Sequence, residues 1–294
     1  MPMRPQGILS HEIIERLGNQ HWIEPISALF LVFIQGVLIN FLVFNYRITG
    51  EQSLFPGLFY ILLTSTLTPF LGLTSTLLAN TFIILSFFEL FVSYRKPSAA
   101  TNIFNVGMLL AIASFFQFSI VVFLLWGIIC INSLRSGSIK EGLMLLAGFI
   151  VPYFLLGTVY FLTDSFHIFW NEQFGKNIAL FNFVGNKNWF TVASYSFFFL
   201  LLAFVIISQG FYSSKRSIQA QKYQTILYWV LIFAGFTVLF QAKTGLDSLI
   251  LLAPSIAIFL TYNFLNFKTQ VGEAIHLLWL LTVLIIQYHS FLGF

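Results

Sequence analysis

Few side chains in this sequence can do acid–base chemistry, and fewer are spaced to do it together. Glu89 is the clearest single candidate: it stands about one and a half helical turns inside the end of a long apolar run, with Arg95 and Lys96 just beyond it. An ionisable group at that depth is a functional candidate because charge in hydrocarbon is costly. Its position beside two cations also fits an ion pair at a membrane interface, reached by snorkelling. A proton relay would need further acids deep in other apolar runs, and the sequence places none there. Asp164, His167 and Glu172 gather in one polar and aromatic stretch, where they could meet a polar substrate or lie solvated. His11, His21, His167, His276 and His289 show no metal-ligand spacing, so no metal centre is expected. His276, inside an apolar run, suits a hydrogen bond between helices. The lone Cys130 excludes an intrachain disulfide and a thiolate cluster. No phosphate-binding glycine loop, nucleophile elbow or pore motif occurs, and no cofactor is expected.

The cations are more informative. Arg95 with Lys96, and Arg135 with Lys140, bracket a single apolar block. Basic turns of this kind stay on the cytoplasmic side of a membrane, and they can also contact anionic lipid headgroups. With both turns on one side, the block from Asn102 to Ser133 must leave and return as two short, tilted or re-entrant helices. They would meet near Ser114 to Phe118, with Gln117 supplying a polar group at the apex. Such a hairpin belongs inside a bundle, because non-helical backbone at membrane depth must be covered by protein or line water. Gly107, Ala111 and Ser114 would let another helix approach closely.

Composition sets the elements that hold these groups. Hydrophobic residues are 58% of the 294 positions and charged residues 8%, against roughly 25% charged in a soluble domain. A water-soluble globule is excluded. The net charge of +4 is scattered in small clusters between apolar runs, which is a topology pattern and not a nucleic-acid surface. The runs are apolar on every side, Ile120 to Ile131 for example, so they are helices and not alternating barrel strands. Besides the hairpin they cover Pro25 to Asn45, Leu54 to Leu73, Ser75 to Tyr94, Gly142 to Phe161, Phe190 to Gln209, Thr225 to Gln241, Leu246 to Leu265 and Glu273 to Tyr288, with Pro152 and Pro254 inside two of them. This predicts an all-α integral membrane protein with about ten membrane segments, counting the short or re-entrant hairpin.

Residues 1–24 read as an interfacial amphipathic N-terminal segment in which Ser10 caps a short helix with Ile13, Ile14 and Leu17 on one face. Glu12 and Glu15 are its solvated charges, and Glu24, beside Pro25 and close to Trp22, is interfacial. Residues 25–294 read as a single polytopic transmembrane domain, with 162–189 an aromatic-rich extracytoplasmic loop.

Several stretches carry a resemblance. They are Asn40-Phe-Leu-Val-Phe-Asn-Tyr, Ile83 to Tyr94 running into Arg95, Ile103-Phe-Asn-Val-Gly-Met-Leu-Leu-Ala-Ile-Ala-Ser-Phe-Phe, and Gly148-Phe-Ile-Val-Pro-Tyr. Together they make Gly36 to Phe161 resemble a family of multi-span inner-membrane proteins of Bacteroidota known as a domain of unknown function. More loosely, the central block is similar to the membrane module of polyprenol-phosphate-dependent glycosyltransferases. That second similarity implies an extracytoplasmic Asp or Glu acting as general base on an acceptor. The region matching it is the tail with Glu12, Glu15, His21 and Glu24, and such an enzyme would need Glu12, Glu15, Glu24, Asp164 or Glu172 at the mouth of a cavity open to the outer leaflet; the paired acids that mark such enzymes are absent.

Short loops, few ionisable groups in the spans and no concentrated site lead to the expectation of a non-catalytic multi-pass subunit or scaffold of a bacterial inner membrane. Its role would lie in envelope biogenesis or export, with membrane lipid and other membrane-protein subunits as partners. The alternative is an extracytoplasmic polyprenyl-phosphate-sugar-dependent glycosyltransferase. Third comes a transporter of a small or lipidic substrate, with Pro152 and Pro254 marking broken helices.

Overall fold

The computed structural model describes residues 7–10, 13, 22–67, 72–94, 96–135, 137–177, 189–208, 217–239 and 246–288. Glu12, Glu15 and Arg95 lie outside the described residues, as do His11, His21 and His289. Among the described residues all the regular elements are helical, as hydrocarbon demands of a chain that must satisfy its own backbone. The principal helices are α1 (Ile23–Asn45), α2 (Phe55–Thr66), α3 (Ser75–Ser93), α4 (Ala100–Phe116), α5 (Phe123–Leu134), α6 (Ile139–Leu162), α7 (Phe166–Trp170), α8 (Trp189–Ser208), α9 (Ile218–Leu239), α10 (Ala253–Asn266) and α11 (Thr269–Tyr288). Tight 3-10 turns, Phe118–Val122 and Leu246–Leu252, lead into α5 and α10, and a π turn, Asn171–Gly175, continues α7.

Among the described residues, five helical stretches are long and apolar enough to cross a membrane: α1, α3, α6, Asp247–Asn266 and Gln270–Tyr288. This is the signature of an α-helical membrane protein. Their environments differ sharply. Of the most apolar stretch in Asp247–Asn266, 89% is buried by other helices, whereas the figure is 11% for α6 and for Gln270–Tyr288. The helix formed by α10 and its 3-10 lead-in is therefore the axis of the bundle, packed against α1, α2, α3, α8 and α9, while α6 and α11 lie at its rim.

Pro254, read as marking a broken helix, sits in the first turn of α10, just after the 3-10 segment. There its missing N–H leaves no intrahelical bond unmade. Pro152, in contrast, lies inside α6, which runs unbroken through it.

The hairpin closes as its flanking cations require. α4 ends at Gln117, the 3-10 turn reverses the chain, and α5 returns until Arg135 Nη1 donates to the Ser93 carbonyl at 2.7 Å and also to the Lys96 carbonyl. The turns carrying Lys96 and Arg135 thus lie on one face of the bundle. α4 then packs on α3 and, most extensively, on α6. Gly107 and Gly148 set that second contact: a Cβ on Gly107 would lie 2.1 Å from the Leu145 carbonyl oxygen, and one on Gly148 2.1 Å from that of Phe104. The two backbones touch, as small residues at a membrane interface allow.

Candidate functional site

Polar side chains of the described residues collect in three places, each built by helix ends or by facing helix surfaces. The first is the basic face. Here α3 ends in a ring of side-chain donors: Tyr46 reaches the Phe88 carbonyl at 3.3 Å, Tyr223 that of Phe91 at 3.4 Å, and Arg135 that of Ser93. Lys222 of α9 caps the end of α5 by donating to the Ser133 carbonyl. Phenolic and cationic donors suit the Phe91, Ser93 and Ser133 carbonyls because the last carbonyls of a helix lack intrahelical partners and carry the negative end of its dipole. Arg135 also pairs with Glu141 at 3.0 Å. Glu141 belongs in turn to a capping box with Ser138 that starts α6.

Glu89 lies at this face. Its carboxylate accepts from Asn102 Nδ2 at 2.6 Å, and Asn102 Oδ1 accepts from Lys96 Nζ at 2.9 Å. An amide therefore stands between the acid and the lysine expected to pair with it directly. Such an arrangement disperses charge through hydrogen bonds and sets no acid against a base. The neighbouring Tyr46, just past the end of α1, has its phenol pushed up to about 12, first by burial and then by Tyr223 and Glu89. It remains a neutral donor at physiological pH.

The second place is the opposite, aromatic end of the hairpin. The stretch read as a loop is helical from Phe166 to Gly175. Its inner side carries the fully buried Gln173, whose Nε2 donates to the Ser114 carbonyl at 2.9 Å and to Tyr153 Oη at 3.1 Å. Gln173 Oε1 accepts the Ile8 N–H at 3.1 Å, so one amide ties the chain near residue 8, the π turn, α4 and α6 together. Ile8 and Ser10 are buried here, Ser10 bonding back to Gly7. Phe115, Phe169, Phe174 and Tyr153 pack around this amide. The outer side of the same turn presents His167, Asn171, Glu172 and Lys176 around an open concavity of about 490 Å³, with Glu172 and Lys176 paired. His167 and Glu172 line this concavity together, while Asp164 is not among its lining residues and is exposed, with φ +53°. Gln117 takes its predicted apical position: Nε2 donates to Ser119 Oγ at 3.0 Å, and Oε1 is buried with no protein partner.

The third place was missed in the sequence. Inside the bundle, Gln35 of α1 donates to the Leu77 carbonyl at 2.8 Å and to Thr81 Oγ1 at 2.6 Å. This fixes the amide, so Gln35 Oε1 must accept, and it does so from the Tyr60 hydroxyl. Tyr60 then accepts from Asn80 Nδ2 at 3.0 Å, which leaves Asn80 Oδ1 without a protein donor. Starting from one backbone carbonyl, the direction of every bond in this network follows. The signal was present: Gln35 and Asn80 are amides inside apolar runs, as Gln117 is. Asp247, at the head of the axial helix and close to Tyr195, was passed over too.

The remaining candidates stay apart. Glu24 lies in the first turn of α1. Lys140 is exposed at the start of α6, and His276 is half-buried on α11. Among the described residues, no three His, Cys, Asp or Glu side chains are grouped to hold a metal ion. The arrangement joins helices; no described nucleophile, base and orienting group converge. Comparison with family models, with curated proteins and with solved structures finds no match to this chain.

Proposed function

We propose that the chain is a non-catalytic, multi-pass subunit or scaffold of a bacterial inner membrane, acting in envelope biogenesis or export. One observation carries this reading: several polar side chains at the basic face and inside the bundle join one helix to another. Arg135, Lys222, Gln35 and Gln173 each reach from one element to a backbone carbonyl of another. A bundle built this way is a rigid frame, and α6 and α11 offer it two broad apolar flanks. About ten membrane segments fit the reading, if the shorter apolar helices and α9 cross as well. The basic turns would then lie on the cytoplasmic side. The resemblance of Gly36 to Phe161 to Bacteroidota inner-membrane proteins supports the location. Extraction of the tagged protein from native membranes in mild detergent tests the proposal. It should elute as part of a larger complex, and a monodisperse monomer would refute it.

A second reading, a transferase using a lipid-linked sugar, draws on the concavity at His167, Glu172 and Lys176. Under it, Glu172→Ala or Asp164→Ala abolishes glycan transfer in membranes; unchanged transfer in both, and in Glu12→Ala, Glu15→Ala and Glu24→Ala, removes it.

A further inference from the structure

The basic face holds two kinds of cation. Arg135 and Lys222 are half-buried and donate to the Ser93, Lys96 and Ser133 carbonyls. Lys96 and Lys140 are exposed. All four belong to one patch, since Arg135 bonds to the backbone of Lys96 and to the side chain of Glu141, the residue after Lys140, while Lys222 bonds two residues before Arg135. The acids within the patch are Glu89 and Glu141. Glu141 is neutralised by Arg135, and Glu89 is reached through Asn102. Among the described residues, four cations against two acids leave a local excess of two positive charges, concentrated on the two exposed lysines.

An apolar track begins at the same point. Ile139, next to Lys140, is 87% exposed, and Leu143, Leu146, Ile150 and Phe154 follow it on one side of α6, all exposed. Steps of three and four residues keep them on a single stripe. A ligand that satisfies both features has an anionic head and a long apolar tail.

We infer that Lys96 and Lys140 bind the phosphate of an anionic phospholipid whose acyl chain lies along the Ile139–Phe154 stripe. Arg135 and Lys222 hold the helix ends in register behind it. A soluble phosphate would leave the stripe unused. A zwitterionic headgroup would bring its own ammonium against the excess positive charge.

The test uses full-length protein in micelles doped with equal amounts of phosphatidylglycerol and phosphatidylcholine, with bound lipid counted by native mass spectrometry. Phosphatidylglycerol should be retained preferentially. The preference should fall about five-fold in Lys96→Gln or Lys140→Gln and about 30-fold in the double variant, since each lysine near an anionic surface contributes on the order of 1 kcal/mol. The double variant Lys96→Arg/Lys140→Arg keeps the charge and should keep the preference, and added salt should weaken binding to the wild type. Equal retention of the two lipids overturns the inference, as does an undiminished preference in the double glutamine variant. Displacement of the lipid by millimolar inorganic phosphate would assign the lysines to a soluble anion and overturn it too.

Discussion

Replacing Gly107 with alanine adds one methyl group where two backbones already touch. The new Cβ would stand 2.1 Å from the Leu145 carbonyl oxygen and 2.9 Å from the Phe149 nitrogen. Neither atom can swing aside, because both belong to the backbone of α6. Restoring contact at about 3 Å requires the helices to part by about 1 Å along their closest line, and overpacking of this kind costs about 1–3 kcal/mol. Gly148→Ala meets the Phe104 carbonyl at the same 2.1 Å and should cost a similar amount. The double variant separates the two explanations open to such a loss. If both methyl groups act by forcing the same separation, the second finds the space already made, and the double variant should lose less than the sum by at least about 1 kcal/mol. If each acts locally, the losses add. The assay is an SDS titration of folded protein in mixed micelles, followed by tryptophan fluorescence. A Gly107→Ala protein within about 0.5 kcal/mol of wild type would refute the argument that α4 and α6 are held at backbone contact, and strictly additive losses would refute a separation shared by the two sites.

Four further outcomes follow from the geometry. Cysteines placed at Ser98 and Ser138, both exposed beside the basic turns, should label from the same side of a sealed membrane, and opposite sides would break the hairpin. Gln173→Ala strands the Ile8 N–H and removes donors from Ser114 and Tyr153; it should cost about 1–3 kcal/mol and speed amide exchange at Ile8, which a passive loop would not. Tyr60→Phe leaves Gln35 Oε1 without its donor and Asn80 Nδ2 without its acceptor; the expected loss is about 1–2 kcal/mol in the SDS titration, and a neutral result would dissolve the network. For Tyr46, the folded pKa is raised from 10.0 to about 12, so the unfolded chain ionises first and stability is lost as pH climbs through that window. Tyr46→Phe should flatten the alkaline decline, and an identical profile would contradict the assigned burial.

The helices were legible because hydrophobicity unbroken by alternation leaves no other way to satisfy a backbone in lipid. The hairpin was legible from two basic turns separated by one apolar block, and Arg135 closing onto Ser93 is the physical form of that pattern. What remained hidden depends on partners far apart in the chain. Gln173 reads as one more polar loop residue until Ile8 and Ser114 stand beside it. Pro254 reads as a break because a sequence does not reveal that a 3-10 turn ends just before it. Glu89 was singled out by its depth, but the amide that carries its contact with Lys96 lies across a helix boundary, in a residue with no charge to draw notice.

The axial position of Asp247–Asn266 has a consequence for biosynthesis. Of the described helices only α11 follows it in the chain, so translation delivers this axis after the other helices it packs against. α1, α2, α3 and α9 leave the ribosome before the element they surround exists. A nascent chain halted before Leu246 has no pillar to close upon and leaves the inner sides of α2 and α9 uncovered. Quality-control proteases should remove such truncated chains quickly, whereas a chain released just after Asn266 can already close.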